Sequence, residues 1–327
     1  MVSRRVLLHG AALAAVTVAG GGFARGPRPA LGSDVAAAGR QAPGYFRLRL
    51  GDGAVTAIYD GGVYIPPKIL HGASTLVIDA ALQDSFIDPA TGAPTAINAF
   101  VAEAGGKAVL IDTGVGTYFG DKAGLLPANL AAAGYEPGRI EAVLLTHLHS
   151  DHALGLVDGA GKAVFPKATV YAHEADVAYW LAPGAESRVT EGQRKVLPAL
   201  RAAVAPYQAS GAFVAFADGA QPAGLEAQRL PGHTPGHTGY WLGSGEGRLL
   251  AWGDVAHVMA VQLPHPEVTI DFDADQPKAA ADRLALLARL AREQCYVAGA
   301  HLPFPGIGRI RAAGAGYVWV PALYQAG

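Results

Sequence analysis

The chain has 327 residues, half of them hydrophobic and only 16% charged, with a formal net charge of −2. That balance excludes a disordered chain, provides for a large buried core in one domain or two, and leaves no basic cluster for nucleic acid, so a small neutral partner fits better. Cys295 is the only cysteine, which excludes an intramolecular disulfide and a cysteine-rich zinc ribbon.

Ser3-Arg4-Arg5 stands directly ahead of a Gly- and Ala-rich apolar run ending near Gly22, the order of a twin-arginine export signal. The run is too short and Gly-rich for stable membrane anchoring. Residues 1–38 are expected to form this signal and a linker, cleaved near Ala36 and Ala38 or within Gly20–Ala24, and residues 39–327 a catalytic domain in the periplasm.

Phe46–Leu50 and Val55–Tyr59 flank Gly51-Asp52-Gly53 and read as a β-hairpin that stops at Asp60-Gly61-Gly62. Ile97–Ala102 and Ala108–Ile111 form a second pair, followed by a helix over Gly124–Ala133 and a short apolar strand, Ala142–Leu145. Helices are expected over Glu174–Leu181 and Glu191–Val204, and strands over Leu225–Leu230, Tyr240–Leu242 and Leu249–Ala251. In the last helix Asp275 caps, Pro277 sits in the first turn, and Leu284, Leu287 and Leu290 form a core stripe. Cys295, just beyond it, is expected to pack as a small buried hydrophobe. Strands in two groups, each followed by helices, predict an α/β fold: an αββα sandwich of two mixed sheets face to face with helices outside.

Thr146-His147-Leu148-His149-Ser150-Asp151-His152 concentrates metal-capable side chains directly after an apolar strand. In extended backbone, residues i and i+2 point the same way, so His147 and His149 can hold one ion together. Asp151 and His152, where the chain turns, can face a second.

This segment resembles the H-x-H-x-D-H signature of the metallo-β-lactamase superfamily, and the resemblance extends over nearly the whole of 39–327. It implies that His233, in Pro231-Gly232-His233-Thr234-Pro235-Gly236-His237, joins His147 and His149 on one metal, while His237 packs nearby. It further implies that Asp254, in Trp252-Gly253-Asp254, bridges both metals, and that His301, in the turn 298–306, completes the second site with Asp151 and His152. Asp112, in Asp112-Thr113-Gly114, would support a metal-binding histidine from behind. The cofactor implied is two divalent ions, zinc first, with manganese, iron and cobalt also compatible with imidazole and carboxylate ligands. Such a pair lowers the pKa of a shared water towards neutrality and polarises the substrate oxygen, with Asp151 positioned to shuttle the proton. An aspartic protease would need a second Asp-Thr-Gly motif or a dimer partner, and would leave the histidines unexplained.

Within the superfamily the chain is similar to the methyl parathion hydrolase group and its lactonase relatives. Segments outside the ligand set carry the likeness, among them Ala42-Pro43-Gly44-Tyr45-Phe46, His301-Leu302-Pro303-Phe304-Pro305-Gly306-Ile307-Gly308 and Gly316-Tyr317-Val318-Trp319-Val320-Pro321. That group's apolar pockets suggest Phe119, Trp180 and Phe272 as substrate-pocket residues, and His257 for a polar leaving group. A polar His257 beside Phe272 favours hydrolysis of neutral hydrophobic lactones or aryl esters, with phosphotriesters as a side activity, over a dedicated organophosphate hydrolase. The alternatives each lack a feature: a β-lactamase its cysteine ligand, a glutathione thioesterase its basic tail, an RNase its basic surface, and a non-catalytic scaffold its lost ligand. A homodimer is implied by the resemblance alone.

Overall fold

In the computed structural model, which describes residues 41–324 apart from Gly105, β1 (Tyr45–Leu50) turns at Gly51 into β2 (Gly53–Ile65). The proposed export segment lies outside the described residues. Alternation in β1 directs Leu48 and Leu50 inward and Arg47 and Arg49 outward.

β2 does not stop at Asp60-Gly61-Gly62 but runs on to Ile65, with a register shift between Tyr59 and Gly61. This bulge carries the Asp60 carboxylate into the interior, where it accepts the Val115 N–H at 2.9 Å and the Leu126 N–H at 2.8 Å. A side chain at Gly61 would come within 2.4 Å of Ala123, so glycine there serves a close approach rather than a turn.

The chain continues through β3 (Leu70–His71), α1 (Thr75–Asp84), β4 (Ala93–Ala104), β5 (Lys107–Ile111), α2 (Leu126–Ala132), β6 (Ala142–Leu144), α3 (Ser150–Ala153) and β7 (Thr169–His173). Then come α4 (Glu174–Asp176), α5 (Glu191–Ala209), β8 (Phe213–Phe216), β9 (Glu226–Arg229), β10 (Thr238–Leu242) and β11 (Leu249–Gly253). The last elements are α6 (Met259–Gln262), β12 (Thr269–Ile270), α7 (Gln276–Glu293), β13 (Tyr296–Gly299), β14 (Ile307–Ala313) and β15 (Gly316–Pro321). The helix expected over Glu174–Leu181 is α4 followed by a π-helical turn, Val177–Leu181.

One sheet has the order β1-β2-β4-β5-β6-β7-β8, the other β15-β14-β13-β11-β10-β9, and β12 pairs with β3 alone. Adjacent residues of each strand face different layers, which produces the expected sandwich. Val109 and Ile111 join Tyr240, Leu249 and Ala251 between the sheets, whereas Leu110 packs outward with Leu126, Leu130, Leu197 and Leu200. On the other side Leu250 and Trp252 meet Leu286, Leu287 and Leu290 of α7. Cys295 is buried in that same cluster.

The leucine stripe proposed for α7 needs correction. Leu287 and Leu290 are buried but Leu284 is 41% exposed, and the inner face is Ala279, Arg283, Leu286, Leu287 and Leu290. Only the first member of the stripe is misplaced, because the inward site beside Leu284 is taken by an arginine, Arg283. Asp275 does cap the helix, accepting the Lys278 N–H at 3.0 Å. Among the described residues no helix is long and apolar enough to cross a membrane.

Candidate metal centre

β5 and β6 run parallel, as do β11 and β13, so the loops leaving their C-terminal ends gather at one edge of the sandwich. The loop after β5 supplies Asp112, the one after β6 supplies His147 to His152, and the one after β9 supplies His233. Asp254 follows β11 and His301 follows β13. All seven proposed ligands, drawn from four separate stretches of the chain, come together there.

His147 Nε2, His149 Nδ1 and His233 Nε2 lie 2.9 to 3.2 Å from one another. Asp254 Oδ2 is 3.2 Å from His233 Nε2 and 3.5 Å from His147 Nε2. On its other side His152 Nε2 is 3.2 Å from Asp254 Oδ1, and His301 Nε2 is 3.1 Å from Asp254 Oδ2. Asp151 Oδ2 completes this half, 3.6 Å from His152 Nε2 and 3.4 Å from His301 Nε2. The Asp254 carboxylate therefore lies within 3.5 Å of histidine nitrogens from both halves of the cluster.

The donor set fits divalent cations on its own chemistry. Three imidazole nitrogens face one another in a buried space where not all can donate, and His152 Nε2 and Asp254 Oδ1 are buried without a hydrogen-bond partner. Unpaired buried polar atoms are costly, and a cation at their centre relieves the cost. Burial alone would raise the pKa of Asp254, yet His152, His301 and His147 hold it well below the ordinary carboxylate range.

Several of these imidazoles are steadied from behind, which fixes their tautomers. Asp112 accepts the Thr146 N–H and the His152 Nδ1–H, both at 2.8 Å. The His301 Nδ1–H donates to the Ala96 carbonyl at 2.8 Å. His237 does not face the cluster. Its ring joins the Leu230 carbonyl through Nδ1 at 2.8 Å and accepts the Asp254 N–H at Nε2 at 2.9 Å. Burial pushes its pKa down to about 3, in keeping with a neutral ring that both donates and accepts.

Two supports escaped sequence reasoning. Asp176 accepts the Leu148 N–H at 2.9 Å and the Gly236 N–H at 2.6 Å, so one buried carboxylate ties the His147 loop to the His233 turn. Asp273 accepts the His233 Nδ1–H at 2.9 Å. Neither belongs to a recognisable motif; Asp176 ends α4, just ahead of the π-helical turn, and Asp273 lies in a loop.

A cleft of about 630 Å³ opens onto the cluster, and Phe119, Trp180, His257 and Phe272 all line it. Val63, Ile65 and Ile69 form one apolar wall, and Val196, Leu197 and Leu200 of α5 another. Trp180 is buried, its ring 5.1 Å from that of His149. His257 stacks on His301 with ring centroids 4.9 Å apart and places Nε2 3.1 Å from Asp254 Oδ2. It also groups with Asp254 and His301 as a set of donors within mutual reach, a closeness to the centre beyond its proposed pocket role.

The model of the metallo-beta-lactamase superfamily matches residues 92–294. Among solved structures, the hydrolase AbOPH in the beta lactamase superfamily is 34% identical, with a TM-score of 0.84, covering 88% of this chain and 100% of its own. AidC, a dizinc quorum-quenching lactonase in complex with the product N-hexanoyl-L-homoserine, is 26% identical, with a TM-score of 0.78, covering 86% of this chain and 99% of its own. A probable metal-dependent hydrolase from Staphylococcus aureus shares the fold at 19% identity and a TM-score of 0.65, over 84% of this chain and 100% of its own. A search of curated proteins found no match.

Proposed function

The chain belongs to the metallo-beta-lactamase superfamily and is a metal-dependent hydrolase, and we propose that it opens neutral hydrophobic lactones or cleaves aryl esters, with phosphotriesters as a side activity. The observation that carries this reading is the placement of the seven-ligand cluster at the floor of an apolar cleft. The likeness to a dizinc lactonase supports zinc in the two sites, and the lactone class of substrate.

His147, His149 and His233 would hold one ion, Asp151, His152 and His301 the other, and Asp254 would bridge them. Two such ions supply an acidified water near neutral pH and a Lewis acid for the substrate's carbonyl oxygen. The chain's own residues do the rest. Asp151, whose side chain is 20% exposed where Asp254 is only 2%, is the more open of the cluster's carboxylates and would take the proton from the attacking water to the leaving oxygen. Phe119, Trp180 and the aliphatic walls bind the apolar part of the substrate and exclude water from the cluster. His257 carries a buried Nδ1 without a partner, available to a polar group of the substrate. The twin-arginine reading of residues 1–38 adds a periplasmic location to the proposal.

Rates of the metal-loaded protein on dihydrocoumarin, acyl-homoserine lactones, phenyl acetate, methyl parathion and nitrocefin test the substrate class. Lactones or the aryl ester should be turned over fastest. Far faster hydrolysis of methyl parathion would make the protein a dedicated organophosphate hydrolase, and dominant nitrocefin turnover would make it a β-lactamase.

A further inference from the structure

Between β11 and α7 the chain makes an excursion that carries Asp254, His257, Phe272 and Asp273. The proposed bridge, two pocket residues and the partner of His233 thus share one irregular segment, which little regular secondary structure stiffens. Two buried polar side chains fill its interior.

Arg283 reaches in from α7 and is 2% exposed. Its Nε–H donates to the Val255 carbonyl at 2.6 Å, and Nη1 donates to the carbonyls of Pro266 at 3.0 Å and Val268 at 2.6 Å. Its Nη2 lies 3.8 Å from Asp273 Oδ2. Gln262 is wholly buried beside this fork. Its Oε1 accepts the N–H groups of His257 at 2.8 Å and Val258 at 3.0 Å, while Nε2 donates to the Val268 carbonyl at 3.1 Å.

Burying an arginine costs free energy that only well-directed hydrogen bonds offset, and Leu286, Leu287 and Leu290 show what this face of α7 otherwise uses. A leucine at 283 would fill space and leave three carbonyls without these donors. The guanidinium instead binds both ends of the excursion at once: Val255, next to the bridging Asp254, and Val268, close before Phe272. Gln262 shares the Val268 carbonyl with it and fixes the backbone of His257.

We infer that Arg283 is a positioning residue which, with Gln262, sets the aim of His257 and Phe272 over the metal cluster and so governs substrate selectivity. The inference rests on the pocket reading above, since it assigns a cause to the pocket's shape. Displacements of about 1 Å at such a site are enough to cost large factors in rate.

Arg283→Lys keeps the charge and loses the planar fork that reaches several carbonyls. In the metal-loaded protein, hydrogen exchange within residues 255–273 should quicken in this variant while the two large sheets keep their protection. The ratio of kcat/KM for an acyl-homoserine lactone to that for phenyl acetate should shift roughly tenfold, mainly through KM. Unchanged protection with an unchanged ratio overturns the inference, and so does a uniform loss of protection throughout the protein. Should Arg283→Lys fail to fold, Gln262→Leu carries the same test, because it removes the acceptor beneath His257 and leaves Arg283 in place. The exchange measurement needs no turnover. A wild type inactive on both substrates would therefore overturn the esterase reading, and the exchange pattern alone would still decide the role of Arg283.

Discussion

The carboxylate of Asp273 accepts the Nδ1–H of His233 at 2.9 Å, which leaves His233 Nε2 free to face His147, His149 and Asp254. If His233 holds a metal as proposed, removing the charge while keeping the shape should loosen that metal. Asp273→Asn is expected to weaken that metal's affinity about 10- to 100-fold, the usual effect of changing an outer partner of a ligating histidine. Competition with a chromophoric chelator measures it, and an affinity equal to wild type would show that Asp273 does not tune the site.

Asp176 plays a mechanical part. Asp176→Ala strands the buried N–H groups of Leu148 and Gly236 and is expected to lower stability by about 3 kcal/mol or more, by the desolvation cost of unpaired buried donors. Denaturant unfolding of the metal-loaded variant reads this directly. A loss under about 0.5 kcal/mol would be the value of an ordinary surface change, not of a staple between two metal loops.

Trp180 and Phe119 line the cleft without belonging to the ligand set. Trp180→Ala should therefore raise KM for hydrophobic lactones roughly tenfold, the equivalent of about 1.4 kcal/mol of lost contact, and should leave two metals bound. Steady-state kinetics with metal analysis separates the effects. A fall in kcat at constant KM would move Trp180 from substrate binding to the chemistry itself.

The sequence made the ends of strands far more legible than the supports behind them. His147, His149, Asp151 and His152 are contiguous, so their spacing alone suggests metal, and the turns at His233, Asp254 and His301 are recognisable by family likeness. Asp176, Asp273 and Arg283 carry no such signal, because each acts on groups that only the fold brings near. Arg283 also explains the misplaced stripe of α7: a buried arginine reads as a solvent-facing residue in any pattern of leucines, which pushed Leu284 inward on paper. β2 was cut short for a similar reason, since Asp60-Gly61-Gly62 has the composition of a turn, while the buried bonds from Asp60 to Val115 and Leu126 make it a bulge.

The most direct test is a metal titration of chelator-stripped protein, following bound metal and lactone hydrolysis together. Activity should rise with added zinc and saturate at two equivalents, and His149→Ala should bind fewer ions and lose turnover. Full activity in the stripped protein, or a His149→Ala variant that keeps two ions and the wild-type rate, would contradict the two-metal site.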